Sequence, residues 1–229
     1  LRLTGGVLAV DLAETAVNEG TLSVRIGADA GARSTSLAFR ADGIAARPLL
    51  ETFTGIEWLS GTLDAALDVT ARGDSQQALM SSLDGAGSVL FSDGAIRGVN
   101  IAAVLRDPLQ ALANPSILES QETDFAQLGG TFRLSGGTLT TDDLAMLAPI
   151  LRMTGAGSVG LPAQAVDMTF RPSLVGTLQG QGGEMREGLT VPIRVSGRFD
   201  NLQYGLDVQP QDVLRFMEDP QSALDALDA

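Results

Sequence analysis

Residues 63–70 read LDAALDVT, and this stretch decides the fold. Every second residue from Leu63 to Val69 is apolar, and Asp64 and Asp68 lie between them. Alternation with a period of two places the two sets on opposite faces of a β-strand. The stretch therefore predicts a strand with one buried and one solvated face.

The same alternation recurs on both sides of this stretch. Upstream, Leu37 and Phe39 alternate with Ser36 and Arg40. Further runs are centred on Leu22-Val24-Ile26, Val89-Phe91, Phe132-Leu134, Val166-Met168-Phe170 and Val191-Ile193-Val195. An antiparallel sheet with one apolar and one polar face accommodates all of these runs. We therefore expect a mainly β protein, in which a curved antiparallel sheet or meander forms an open groove or flattened barrel with a few short amphipathic helices.

Glycine-rich and Asn/Asp-containing pairs interrupt the runs and predict hairpin turns. These predicted turns are Asn18-Glu19-Gly20, Asp93-Gly94, Gly129-Gly130, Gly136-Gly137, Gly155-Ala156-Gly157, Gly182-Gly183 and Asp200-Asn201.

Three short helices are predicted between or after the strands. The first follows Asp74-Ser75-Gln76-Gln77, which resembles a capping box, and stops at Gly85, and the second starts at Asn100. The third follows Pro210. This pattern predicts a β-groove domain over residues 1–209 and a helical segment over residues 210–229.

The composition excludes several classes of function. The 229 residues are 44% hydrophobic, which supplies a core, and the net charge of −13 is a poor match for nucleic acid. Cys and His are absent, which removes thiol chemistry, Cys/His zinc sites and imidazole bases. A carboxylate-only glycosidase would need a polar cleft with stacking aromatics, and aromatics make up only 4% of the chain. We expect no enzyme, no cofactor and no metal.

Four stretches resemble the C-terminal region of AsmA-family sequences. They are Ile56–Thr62 (IEWLSGT), Leu83–Asn100 (LDGAGSVLFSDGAIRGVN), Phe125–Leu139 (FAQLGGTFRLSGGTL) and Leu151–Gly160 (LRMTGAGSVG). Their order and spacing along one chain carry the resemblance, which covers most of residues 35–200.

The resemblance implies a bridge-type lipid carrier that shields phospholipid acyl chains between the inner and outer membranes of a Gram-negative envelope. It implies a periplasmic location, with the complete protein held in the inner membrane by an N-terminal helix upstream of residue 1. It supplies no catalytic residues. The alternative is a periplasmic scaffold that influences the assembly of outer-membrane proteins through its sheet edges.

The apolar members of the alternating runs are the candidate lipid-binding residues. They are Leu37, Phe39, Leu63, Leu67, Val69, Val89, Phe91, Phe132, Leu134, Met168, Phe170, Ile193 and Val195. The same residues also fit an ordinary core in which they pack against one another or a helix. With few helices to cover it, a broad sheet must either fold over on itself or leave a groove.

Polar residues offer weaker candidates. Arg97, Arg133, Arg152 and Arg171 suit either lipid phosphates at a groove rim or a solvated strand face. The acidic pairs Asp142-Asp143 and Glu184 with Glu187 lack the loop pattern of a calcium site, so surface charge is favoured. Trp58 is expected to anchor a turn in the core.

Overall fold

A computed structural model describes residues 1–17, 20–98, 122–174 and 192–206. These residues form one sheet of twelve strands, and the spatial order of the strands is their order along the chain. Every neighbouring pair is antiparallel. The sheet is curved and is not closed into a barrel. The predicted fold class is therefore confirmed.

The strands are β1 (Arg2–Thr4), β2 (Val7–Val17), β3 (Gly20–Asp29), β4 (Ser34–Ala45), β5 (Leu59–Arg72), β6 (Asp84–Arg97), β7 (Glu122–Ser135), β8 (Thr138–Leu147), β9 (Leu151–Gly160), β10 (Ala165–Leu174), β11 (Ile193–Arg198) and β12 (Asn201–Leu206). The helices within the described residues are α1 (Ala46–Thr54), between β4 and β5, and α2 (Gln76–Ser81), between β5 and β6.

The pairing register gives the sheet one apolar face. Residues directly opposite on neighbouring strands point to the same side, so the pairs Leu37 with Val69 and Phe39 with Leu67 share a face. Val24 joins them through its pairing with Phe39. The charged residues of the strands point mainly to the other side, which we call the polar face. The stretch at residues 63–70 thus lies in a strand as its alternation predicts.

Four strands carry an extra residue that breaks the regular pairing. The shifts fall at residues 12–15 of β2, 41–44 of β4, 92–95 of β6 and 140–145 of β8. Each shift is a β-bulge, which bends a strand and increases its local twist. The strands β9 to β12 pair with one another without such shifts.

Helix α1 covers one margin of the apolar face. Its first residue belongs to a set of buried side chains that we call the α1 cluster, consisting of Ala46, Leu59, Leu63, Phe91, Phe125, Met146, Ala148 and Leu151. Leu49 and Leu50 of the helix pack against this cluster. The helix ends at Gly55, whose left-handed backbone lets its amide donate to the Glu51 carbonyl. Helix α1 is not among the helices predicted from the sequence, although Pro48 in its first turn and Gly55 after its end are typical helix signals.

Helix α2 begins where the predicted capping box of residues 74–77 places a helix, and Ser75 is its N-cap. The Ser75 hydroxyl accepts a hydrogen bond from the Ala78 amide at 3.2 Å. The helix ends at Ser81, before the predicted stop at Gly85, because β6 already begins at Asp84. Gly85 is paired with Val69 in the sheet.

The turn predictions divide into two groups. Gly136-Gly137 joins β7 to β8 with positive φ at both residues, as a tight hairpin turn requires, and Asp200 precedes β12. Asp93-Gly94, Gly129-Gly130 and Gly155-Ala156-Gly157 were wrong, because they lie inside β6, β7 and β9. Bulges adjoin the first two, so the glycines serve the bending of strands there rather than chain reversal.

Several predictions lie outside the described residues. These are the helices from Asn100 and after Pro210, the domain boundary at residues 209–210, the turn at Gly182-Gly183, most of the turn at Asn18-Glu19-Gly20, and the pair Glu184 and Glu187.

Candidate functional site

The register brings the candidate lipid-binding residues to one face of the sheet. Starting from Val24, direct pairing connects Phe39, Leu67, Gly87 and Phe132 across β3 to β7. The pairs Met168 with Val195 and Phe170 with Ile193 continue the same face on β10 and β11. The whole candidate set therefore lies on the apolar face, although its role in binding lipid stays a prediction.

Burial separates the candidates into two groups. Leu63, Phe91, Leu134 and Met168 retain at most 7% exposure. Leu63 and Phe91 belong to the α1 cluster, where the alternative of an ordinary core fits. The half-buried candidates are Leu37, Phe39, Leu67, Val69, Val89, Phe132, Phe170, Ile193 and Val195. Their remaining exposed surface is what a groove-lining role needs.

The apolar face is most exposed on the strands β1 to β3. Leu3, Leu12 and Ile26 are 73%, 43% and 41% exposed. Leu3 faces Leu8, and Leu12 and Ile26 reach the same face through Val24 and Val10. These residues belong to alternating runs but were left out of the candidate set. Their alternation was the available signal.

Ion pairs occupy the polar face. Arg194 makes a bidentate contact with Asp167, at 2.9 and 2.8 Å, between β11 and β10. The hydrogen bonds from Arg194 and its positive charge hold the pKa of Asp167 below its ordinary value. Arg40 also pairs with Asp68 across β4 and β5, through a single contact of 3.4 Å. These contacts explain why charged residues alternate with apolar ones.

The other arginine candidates are also exposed. Arg133, Arg152 and Arg171 lie on the polar face, as their pairing with Thr140, Ser173 and Thr154 shows. Arg97 lies 4.0 Å from Glu122. A solvated strand face therefore accounts for their positions.

Arg47 is a cation that the sequence analysis did not select. It lies in the first turn of α1, next to the buried Ala46, and its Nε atom is buried without a hydrogen-bond partner among the described residues. Buried guanidinium nitrogens are normally paired. Arg47 therefore lies at the margin of the apolar face, and its Nε atom makes no hydrogen bond to any described residue.

The acidic pair on β8 has a structural contact. The Thr131 amide donates to Asp143 Oδ1 at 2.8 Å, and the Thr131 hydroxyl donates to Oδ2 at 2.7 Å. These bonds hold the pKa of Asp143 below its ordinary value. Within the described parts of the chain, no group of three or more Asp and Glu side chains is arranged to bind a metal.

Two shallow depressions lie away from most of the candidate residues. The first, of about 550 Å³, is lined by Ala66, Asp68, Ala86, Gly87, Ser88, Thr131, Phe132, Arg133, Thr140, Thr141 and Asp142. The second, of about 310 Å³, lies near Glu14, Arg40 and Asp42. Both are lined largely by polar side chains, and only Phe132 of the candidate set borders either one.

Trp58 was expected in the core, and this was wrong. Its side chain is 50% exposed, since it precedes β5 at the end of the segment that follows α1. Leu59, the next residue, is the one that enters the α1 cluster.

Neither described helix has the length and hydrophobicity to cross a bilayer.

Comparison with known proteins gives one family. The family model described as "AsmA family" matches residues 1–144, and so includes N-terminal strands outside the resemblance seen in the sequence. Protein AsmA of Escherichia coli (strain K12) is 23% identical over 212 residues, covering 89% of this chain and 34% of that protein. The chain thus spans about a third of the length of this curated relative. No solved structure gives a significant match.

Proposed function

The chain belongs to the AsmA family, and from this premise we propose that it is part of a periplasmic bridge-type lipid carrier. In this role the apolar face shields phospholipid acyl chains as they pass between the inner and outer membranes. The complete protein is held in the inner membrane by an N-terminal helix. The carrier is not an enzyme, and it needs no cofactor.

The observation that carries this proposal is an apolar face that runs without interruption across the strands. Candidate residues on β4 and on β11, far apart in the strand order, share it. Of the described helices, α1 alone contributes residues to the buried cluster on this face. Much of the face is therefore left half-buried and available for contact.

The free energy of transfer explains why such a face suits a lipid. Each methylene group exposed to water costs about 0.8 kcal/mol, so a dozen exposed methylenes cost about 10 kcal/mol. A continuous apolar surface removes most of this barrier along the whole path. The polar face, with its ion pairs, keeps the outside of the carrier solvated.

Lipid analysis of the purified protein tests the proposal. Native mass spectrometry should detect phospholipid bound to the wild-type chain and none bound to the double variant Phe39→Asp, Phe170→Asp. The matched control is Ala38→Asp, Thr169→Asp, which places the same charges one residue away on the polar face. Equal lipid loss in both double variants, with both folded by circular dichroism, would argue against the apolar face as the binding surface.

A scaffold for outer-membrane protein assembly is the second candidate, and the edges of the sheet favour it. Among the described strands, β1 pairs only with β2 and β12 only with β11, so each has one open edge. Open edges can receive a strand from another protein. Site-specific crosslinking from Arg2 or Gln203 to an outer-membrane protein, together with a lipid-free wild-type protein, would favour this role.

A further inference from the structure

The β-bulges follow a rule along the sheet. They occur on the even-numbered strands β2, β4, β6 and β8. At each one, successive residues of the apolar face are separated by two residues instead of one. These apolar-face pairs are Leu12 and Thr15, Ala41 and Ile44, Phe91 and Gly94, and Thr141 and Leu144.

The bulges on β2, β4 and β8 lie side by side at nearly the same height in the sheet, whereas the β6 bulge lies opposite Gly61, further along β5 than Asp64, which lies opposite the β4 bulge. Pairing runs from Thr15 at the first bulge through Leu22 to Ala41 at the second. It continues through β5 and β6 to Gly130. A methyl group added to Gly130 would lie 2.9 Å from the Cα atom of Leu144, at the fourth bulge. The bulges on β2, β4 and β8 thus form a row, and the β6 bulge lies to one side of it.

The extra residues all face the polar side. They are the pairs Ala13-Glu14, Asp42-Gly43, Ser92-Asp93 and Asp142-Asp143, and each pair contains an exposed carboxylate. An extra residue bends its strand and increases the local twist. The row therefore concentrates bending at one level of the sheet. Leu134 and Met168 on the apolar face are buried although neither belongs to the α1 cluster.

Two carboxylates fix bulges to neighbouring strands. Asp64 of β5 accepts a hydrogen bond from the Gly43 amide of the β4 bulge, at 2.8 Å. Asp143 of the β8 bulge accepts two hydrogen bonds from Thr131 of β7 and a third from the Thr141 hydroxyl at 3.3 Å. A bulge leaves backbone amides without their usual ladder partner, and these acids supply one.

We propose that the row of bulges sets the bend of the sheet, and that Asp64 and Asp143 are positioning residues that hold it. If the protein carries lipid as proposed, the bend also sets the width of the groove that the apolar face forms. This width determines how many acyl chains lie side by side in it. Neither acid touches the lipid. Both act through the backbone.

Distance measurements between spin labels test the bend directly, and the absence of native cysteine makes labelling specific. Cysteines at Thr138 and Leu147 place labels on exposed positions at the two ends of β8. Asp143→Ala should shift the label distance to longer, broader values as β8 straightens. Asp142→Ala removes the neighbouring acid, which has no such contact with Thr131, and should leave the distance unchanged.

The results of these experiments test the role of the bulges in the bend and the lipid-carrying function separately. An unchanged β8 distance in Asp143→Ala overturns the proposal, as does an equal shift in Asp142→Ala. If Asp143→Ala does not fold, Thr131→Ala removes the Oγ1 bond alone and should give a smaller shift in the same direction. A changed distance with an unchanged number of lipids per chain overturns the link to groove width. A lipid-free wild-type protein refutes the carrier function, while the distances still decide the bend.

Discussion

The α1 cluster and the strands β1 to β3 belong to the same apolar face but are covered very differently. In the cluster, Leu151 and Met146 retain 1% and 0% of their exposure. On β1 to β3, Leu3, Leu12 and Ile26 retain between 41% and 73%. Both regions carry the same alternation of apolar and polar residues. The comparison teaches that alternation selects a face, whereas packing against other strands or a helix decides whether that face is a core: Leu134 and Met168 are buried too, although neither belongs to the α1 cluster.

Truncation of a side chain in the α1 cluster should have the largest effect on stability. Leu151→Ala removes fully buried methyl groups and leaves a cavity, so it should lower the free energy of unfolding by about 2–5 kcal/mol. Ile26→Ala, on an exposed position, should cost about 1 kcal/mol or less. Urea denaturation followed by circular dichroism measures both. Equal losses would mean that the two regions are not distinct.

Removing the contact of α1 should convert the covered region into an open one. Leu49→Ser withdraws a side chain that packs on the cluster, and should lower the free energy of unfolding by about 1.5–3 kcal/mol. A dye that fluoresces on exposed apolar surface should also bind more strongly to this variant. Glu51→Ser, on the exposed side of the same helix, is the control. Unchanged dye binding would show that α1 is not the cover.

Polar substitutions on β2 and β3 should have a larger effect on bound lipid than on stability, the reverse of the α1 cluster. Leu12→Ser with Ile26→Ser replaces exposed apolar surface, so it should reduce bound phospholipid while changing the free energy of unfolding by about 1 kcal/mol at most. Lipid extraction and quantification give the readout. The control pair, Asp11→Ser with Arg25→Ser, lies on the polar face and pairs across the same strands. Retention of all lipid in the first variant would exclude these strands from the binding surface.

Acid should weaken the bulged part of the sheet through Asp143. Because its pKa is lowered in the folded state by bonds from Thr131, its contribution is present above its ordinary value of 3.8 and is lost as the pH falls through the lower folded-state value. The melting temperature of Asp143→Ala should therefore depend less on pH below about pH 4 than that of the wild type. Asp142→Ala should retain the wild-type dependence. Parallel curves for all three proteins would contradict this.

The smallest effect is expected at the ion pair between Arg194 and Asp167. Both side chains are about half exposed, so solvent and salt screen their attraction. Arg194→Gln should lower the melting temperature slightly at low salt, and the difference should shrink in 1 M NaCl, where the screening length is about 3 Å. A difference that grows with salt would rule out an electrostatic origin.

Strand positions and faces could be predicted from the sequence because they depend on local alternation. The faces of Leu37, Phe39 and Phe170 follow from a period of two, and the structure agrees. The bulges at Asp93-Gly94 and near Gly129-Gly130 could not be predicted in this way, since a glycine pair suits both a turn and a bulge. What distinguishes the two is whether the strand continues to pair beyond the glycines, which depends on the neighbouring strand.

The exposure of Trp58 and the burial of Leu59 show the limit for side chains. Both are apolar and adjacent, but Leu59 is in phase with Leu63 on the apolar face of β5, whereas Trp58 lies just before the strand. Likewise, nothing in the pattern around Arg47 indicates that its Nε becomes buried without a partner. Such outcomes depend on contacts between segments distant in sequence.

The strand order has a consequence for how the chain folds. Because each strand pairs with the one that precedes it in sequence, the sheet can grow by one hairpin at a time as the polypeptide emerges, without waiting for its C-terminal end. Contacts between sequence neighbours keep the contact order low for an all-β protein and favour rapid folding. The same arrangement would let evolution lengthen the molecule by duplicating hairpins, since an added pair contacts only its immediate neighbours.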